Sequence, residues 1–274
     1  MTANDTQSRN VSKRWNGKWA LVTGASAGIG RAIAEKLAAG GCNLVLVARR
    51  RERLEKFVAE VAARHGVYTE ILVADLVNPG APREIFEFTS AKKIPIEFLV
   101  NNAGFGAYGH FSRLDLQRQL EMVQVNCAAV VHLTGLYVPR MVERRSGDIL
   151  IVASTAAFQA VPYVATYAAT KGFDLLYGEA LFEELAPHGV HVCVLCPGPT
   201  DSEFADVAGT PPGPAKHFET AEKVARVGLE ALAGGKSSVI SGFLNNLQTQ
   251  LERLAPRRFV TGAAARLYRP KDDR

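Results

Sequence analysis

The apolar run Trp19-Ala-Leu-Val-Thr23 passes directly into Gly24-Ala-Ser-Ala-Gly28-Ile-Gly30. The chain then continues as Arg31-Ala-Ile-Ala-Glu-Lys-Leu-Ala-Ala39 and stops at Gly40-Gly41. A short apolar run ended by turn residues reads as a buried strand, and helix formers closed by glycine read as a helix. Strand, glycine turn and helix in that order are what a dinucleotide site requires, because the pyrophosphate sits at the N-terminus of the first helix. Unpaired N–H groups face the anion there, and small residues let the backbone come close. The spacing is G-x-x-x-G-x-G rather than the commoner G-x-G-x-x-G. Gly24, Ser26, Gly28, Ile29 and Gly30 are the candidate contacts.

The same alternation runs on. Strands read near 19–23, 43–48, 69–74, 97–101, 148–153, 191–196 and 238–241; helices read near 29–39, 51–64, 80–90, 114–143, 164–185 and 221–233. Apolar strands separated by helices imply a parallel sheet covered on both faces. The expected fold is therefore α/β, a doubly wound Rossmann-type sheet of about seven strands with a helical C-terminal tail. A polar N-terminus (1–14) is expected to be loose, residues 15–243 to form one domain, and 244–274 a basic helical tail. The proline- and glycine-rich stretch 199–220 breaks the alternation and reads as a substrate lid.

Composition narrows the function. With 274 residues and 47% hydrophobic side chains the chain can bury a sizeable core. The charge of +5 matches no nucleic-acid motif, so no nucleic-acid partner is expected. Cys193 and Cys196 lie three apart in a strand and point to opposite faces; no metal is expected. No apolar run is read as an integral membrane span. With unpaired thiols expected and no signal peptide read, a cytoplasmic location is the expectation.

The second strand ends at Ala48, where an NAD site usually carries an acid for the ribose 2′-hydroxyl, and Arg49 follows. A guanidinium suits a 2′-phosphate by charge and fork geometry, so the cofactor reads as NADP(H). Further on, Tyr167-Ala-Ala-Thr-Lys171 puts a phenol and an ammonium four residues apart on one helix face. A free tyrosine, with a pKa of about 10, is a poor acid–base group near neutrality; a neighbouring cation favours the phenolate and is expected to bring it toward working pH.

Taken with Ser154, thirteen residues before Tyr167, and with Asn101-Asn102-Ala103-Gly104 and Pro197-Gly198, these features resemble the short-chain dehydrogenase/reductases over roughly residues 17–242. Within that family the stretch Pro197-Gly-Pro-Thr-Asp-Ser-Glu-Phe204, and Ser-Gly-Phe-Leu-Asn near 241 with the basic tail, resemble bacterial reductases loosely related to long-chain 3-oxoacyl reductases. The resemblance implies a catalytic set of Asn126, Ser154, Tyr167 and Lys171. Tyr167 would exchange the proton, Lys171 would support it and bond the nicotinamide ribose, Ser154 would hold the substrate oxygen, and Asn126 would hold a water. It adds Asp75 and Leu76, Asn102, Ala103, Gly104, Pro197, Gly198 and Thr200 to the cofactor contacts. It also implies a homodimer or homotetramer.

The expected activity is NADPH-dependent reduction of a carbonyl to an alcohol. Phe105, Tyr108, Phe111, Phe158, Tyr163 and Phe204 read as walls of a pocket for an apolar ketone or acyl-type substrate. Alcohol oxidation by the same residues and a non-catalytic dinucleotide sensor are the alternatives. Leu244, Leu247, Leu251 and Leu254 in the tail lie at helical spacing among arginines. They read first as a helix packed on the body or on another subunit, and second as peripheral contact with an anionic membrane surface.

Overall fold

The computed structural model describes residues 14–209, 218–252 and 254–270. The seven apolar runs all become strands of one sheet: β1 (Trp19–Thr23), β2 (Asn43–Ala48), β3 (Thr69–Val73), β4 (Ile96–Asn101), β5 (Gly147–Val152), β6 (Val190–Cys196) and, after a small two-stranded pair, β9 (Ser238–Ile240). Their order is β3-β2-β1-β4-β5-β6-β9, and every pairing is parallel. Between them run α1 (Gly28–Ala39), α2 (Arg51–His65), α3 (Ala81–Ala91), α4 (Leu116–Val123), α5 (Ala129–Glu143), α6 (Ala165–Leu185), the short α7 (Phe204–Ala208) and α8 (Ala221–Ala233). The order reverses between β1 and β4, the switch point where ligands of such sheets bind.

Two packed layers explain why the central strands are apolar on both faces. One core joins Ile33 and Leu37 of α1, Leu54 and Phe57 of α2, and Val224 and Leu229 of α8 to the sheet. The other joins Ile85 of α3 and Leu133 and Tyr137 of α5 to the opposite face. Strand β6 shows the alternation residue by residue. Val194 and Cys196 pack with Leu175 of α6, whereas Cys193 and Leu195 belong to the α8 side. Two helical glycines set these layer distances: a Cβ on Gly178 would collide with Val194, and one on Gly228 would lie 2.7 Å from Leu195. The two cysteines thus face opposite ways, and all four thiols are free.

The structure departs from the sequence reading in four places. Arg14 already belongs to the body, since it pairs with the buried Asp148 at 2.8 Å; residues 1–13 lie outside the described residues. The single helix read over 114–143 begins only at Leu116, where Asp115 caps it by accepting from Gln117 N, and widens into a π turn at Gln124–Ala128 between α4 and α5. Joined end to end, Leu116–Glu143 is long and apolar enough to cross a membrane, which the sequence reading missed. Its inward face is nonetheless spent on the second core, with Met122, Val125, Ala129, Leu133 and Tyr137 buried there. Within the stretch read as a lid, β7 (Thr200–Asp201) pairs with β8 (Glu219–Thr220) and α7 lies between them in sequence; 210–217 fall outside the described residues. Finally, the tail forms two helices, α9 (Phe243–Glu252) and α10 (Arg257–Tyr268), because Pro256 stands between them at the N-cap of α10.

Candidate active site

Most of the residues singled out from the sequence stand at the carboxyl ends of the strands. The glycine turn leaves β1 and enters α1, whose N-cap Ala27 offers no side-chain bond and whose first turn holds no acid. Its first N–H groups are therefore open to an anion. Gly24 and Gly28 have φ of 67° and 54°, values at which a side chain is strained. Gly30 has a different reason: a Cβ there would lie 2.6 Å from Gly24 O and would collide with the Asn102 side chain. Ile29 packs sideways on the core.

Asn102 and Ala103 turn out to brace that turn. Asn102 Nδ2 donates to Thr23 O at 2.8 Å, while Asn102 N and Ala103 N both donate to Thr23 Oγ1 at 3.0 Å. Thr23 Oγ1 in turn donates to Val100 O. One buried hydroxyl thus ties the ends of β1 and β4 together, and the sequence reading did not single it out. Gly104 follows, where a Cβ would stand 3.1 Å from Asn126 Oδ1 and 3.5 Å from Lys171 Nζ.

The arginines after β2 divide their work. Arg49, expected to meet a 2′-phosphate, is exposed and loosely paired with Asp75 at 3.8 Å. Asp75 also accepts from Val77 N, and Leu76 beside it is buried. Arg50, which the sequence reading passed over, stands closer to the glycine turn: its Nε and Nη2 donate to Ser26 Oγ at 3.3 and 3.1 Å. Arg50 Nη1 donates to Glu203 at 2.6 Å, and Arg53 pairs with the same carboxylate. Those two hydrogen bonds hold the Glu203 carboxyl below its ordinary pKa.

Across the switch point, β5 and α6 supply the reacting groups. Ser154 lies two residues beyond β5 and caps a 3-10 turn, its Oγ accepting from Ala156 N at 3.2 Å. Pro197 O accepts from Thr155 N at 2.8 Å, which ties the ends of β5 and β6. Tyr167 and Lys171 share one face of α6. Lys171 is buried and its Nζ donates to Val152 O at 2.8 Å and to Asp174 Oδ2 at 2.9 Å. Burial pushes the Tyr167 phenol up, while Lys171 and a hydrogen bond with Ser154 pull it down; burial wins, so the phenol lies above its ordinary value. The cation acts in the expected direction, but burial outweighs it, so the net shift is opposite to the one expected. Burial alone would lower Lys171, but Asp174 and then Tyr167 hold it above its ordinary value.

Asn126 sits in the π turn, fully buried. Both its amide protons are used, by Phe105 O and Thr170 Oγ1 at 3.0 Å, and its Oδ1 accepts from Phe105 N. Its side chain clamps the segment after β4 to α6 and has no proton left for a water. Gly198 also has a structural reason of its own, because a Cβ there would meet Asn245 of α9. Thr200 Oγ1 donates back to Gly198 O at 2.9 Å.

The six aromatics separate. Phe204 lies 5.1 Å from the Tyr167 ring, and Tyr108 packs in the small cluster of Val161, Val164 and Ala168 around Tyr167. Phe105 is core, under Arg118; Phe158 packs with Leu175; Tyr163 stands against His110; Phe111 is 66% exposed. A cleft of about 310 Å³ lies between the segment 106–108 and α7; Phe204, which is not among its lining residues, stands between Tyr167 and the backbone of Gly106. The tail contributes as well: Tyr268 packs on the Tyr167 cluster and its carbonyl accepts from Tyr108 OH at 2.9 Å.

A parallel sheet with an open helix N-terminus at its switch point, facing a Ser, Tyr and Lys set, defines a nucleotide-dependent oxidoreductase. The family model described as short chain dehydrogenase matches residues 18–211, and the chain belongs to that family. Among curated relatives, a very-long-chain 3-oxoacyl-CoA reductase of Phaeosphaeria nodorum is 36% identical over 190 residues, 65% of this chain and 54% of that protein. This chain therefore spans about half the length of such relatives. A 7beta-hydroxysteroid dehydrogenase of Collinsella aerofaciens is 31% identical over 233 residues, 84% of this chain and 88% of that protein. Among solved structures, a short-chain dehydrogenase from Sphingobium yanoikuyae in complex with NADPH superposes with a TM-score of 0.78 at 28% identity, covering 87% of this chain and 96% of that one.

Proposed function

We propose that the protein is an NADPH-dependent reductase of an apolar ketone or acyl-type carbonyl, with Tyr167 as proton donor. The observation that carries this is the placement of the Tyr167 phenol and the Lys171 ammonium on one helix face, with the Ser154 hydroxyl in hydrogen-bonding reach of the phenol. NADPH, when bound, supplies the hydride. The open N–H groups of α1 and the side-chain-free edge at Gly24 and Gly28 fit its pyrophosphate. Arg49 and Arg50 fit a 2′-phosphate.

In the reductive direction the substrate oxygen gains negative charge as hydride arrives at carbon. Ser154 and Tyr167 stand where two hydroxyls can donate to that oxygen, and Tyr167 passes over its proton. The resulting phenolate is stabilised by Lys171 until solvent reloads it. In oxidation by the same residues Tyr167 would take the proton back. Substrate apolarity is supported by Val161, Val164, Tyr108 and Phe204 around the phenol.

Fluorescence titration with NADPH and NADH, followed by a ketone panel, tests the cofactor reading. NADPH is expected to bind at least tenfold more tightly, and Arg49→Ala/Arg50→Ala to lower that affinity roughly ten- to a hundredfold, since hydrogen bonds to charged groups are worth about 1.5–3 kcal/mol. Equal or tighter NADH binding sinks the arginine argument.

A further inference from the structure

Asp174 was not singled out from the sequence, and the proposed mechanism does not use it. It lies three residues after Lys171 on α6, so both project from one helix face. Its side chain is 1% exposed. One oxygen, Oδ2, accepts from Lys171 Nζ at 2.9 Å; the other, Oδ1, is buried and makes no hydrogen bond among the described residues. A buried carboxylate left half-satisfied is costly, so its placement against one ammonium calls for a reason.

The surroundings supply it. The groups facing the Tyr167–Lys171–Asp174 set are Cys127 in the π turn, Cys196 on β6, Ser154 just beyond β5 and Tyr268 on α10. The two thiols are neutral, because burial drives Cys127 up to about 11 and Cys196 higher still. Tyr268 is also pushed up by burial. Asp174 is therefore the one carboxylate among these groups, and Lys171 would otherwise be an ammonium buried against a backbone carbonyl alone. Buried lysines without a counter-charge lose their proton readily.

We propose that Asp174 is a positioning residue: paired with Lys171, it holds the ammonium at Val152 O and keeps the Tyr167–Lys171 pair fully protonated at the start of each turnover, before Tyr167 gives up its proton. This rests on the reading of Tyr167 as proton donor. The two groups titrate as a pair. With Asp174 charged, removing the first proton takes the set from neutral to net negative; without it, the same step goes from net positive to neutral and occurs at lower pH. That sign holds whichever of the two groups gives up the proton.

The test is the pH profile of kcat/KM for NADPH-dependent reduction of the best ketone from the panel, in wild type, Asp174→Asn, Asp174→Glu and Tyr167→Phe. The alkaline fall in rate should move down by about one to three pH units in Asp174→Asn, and Asp174→Glu should restore it. If the amide variant melts below the assay temperature, Asp174→Ser supplies the neutral side chain. A lower rate with an unmoved profile would reduce Asp174 to a packing residue and overturn the proposal. A wild type that reduces no ketone, or a Tyr167→Phe variant that keeps turnover, would instead overturn the reading on which it rests.

Discussion

Single residues set the tolerances of this site. Gly30 meets Gly24 O and Asn102 with no room for a methyl group, so Gly30→Ala must push apart the turn and the end of β4. Overpacking of this kind costs about 1–3 kcal/mol, and urea unfolding should show a lowered midpoint with an unchanged slope. An unaltered midpoint would mean that the turn yields freely. The glycines and the Tyr167–Lys171 spacing were legible in the sequence because each is a local pattern. Thr23, Arg50, Asp174 and Glu203 were not, because their partners lie far along the chain or, for Asp174, because an acid within a helix reads as a solvated surface group. The net direction of the Tyr167 shift was likewise hidden, since it depends on how burial compares with the cation.

At the scale of elements, the strands were easy to place because a parallel strand buried on both faces is a continuous apolar run. All seven fall within a residue or so of the expected bounds. The long helix was harder. Its π turn at Gln124–Ala128 carries no breaker residue, and Asn126 there is held by the Phe105 backbone and Thr170, contacts that no local pattern announces. The helices α4, α5 and α6 also leave Leu116, Leu120, Val131, Phe173 and Leu176 exposed, Leu176 at 71%. The homo-oligomer that the family resemblance implies would cover side chains of this kind, and we infer on that ground that they meet a second copy of the chain. Light scattering should then give a multiple of 29.6 kDa, with Leu176→Glu shifting the population toward the monomer. A monomeric wild type at assay concentration would remove the inference. In the tail, Ala264 is buried and Tyr268 packs on the Tyr167 cluster, whereas Leu244 and Leu254 of the leucine stripe are 67% and 84% exposed.

For the molecule as a whole, the fold brings distant stretches to one edge of the sheet. The glycine turn, the arginines after β2, the segment after β4, Ser154, and the Tyr167 helix converge there, and Glu203 reaches back from beyond β6 to the arginines. Family membership accounts for the architecture and for oxidoreductase chemistry. The central claim is that Tyr167 delivers the proton. The direct measurement is kcat for ketone reduction by Tyr167→Phe, alongside its NADPH affinity. Loss of a positioned acid should lower kcat by about 10²- to 10⁴-fold while NADPH binds within about threefold of wild type. A variant that keeps wild-type kcat would contradict the account.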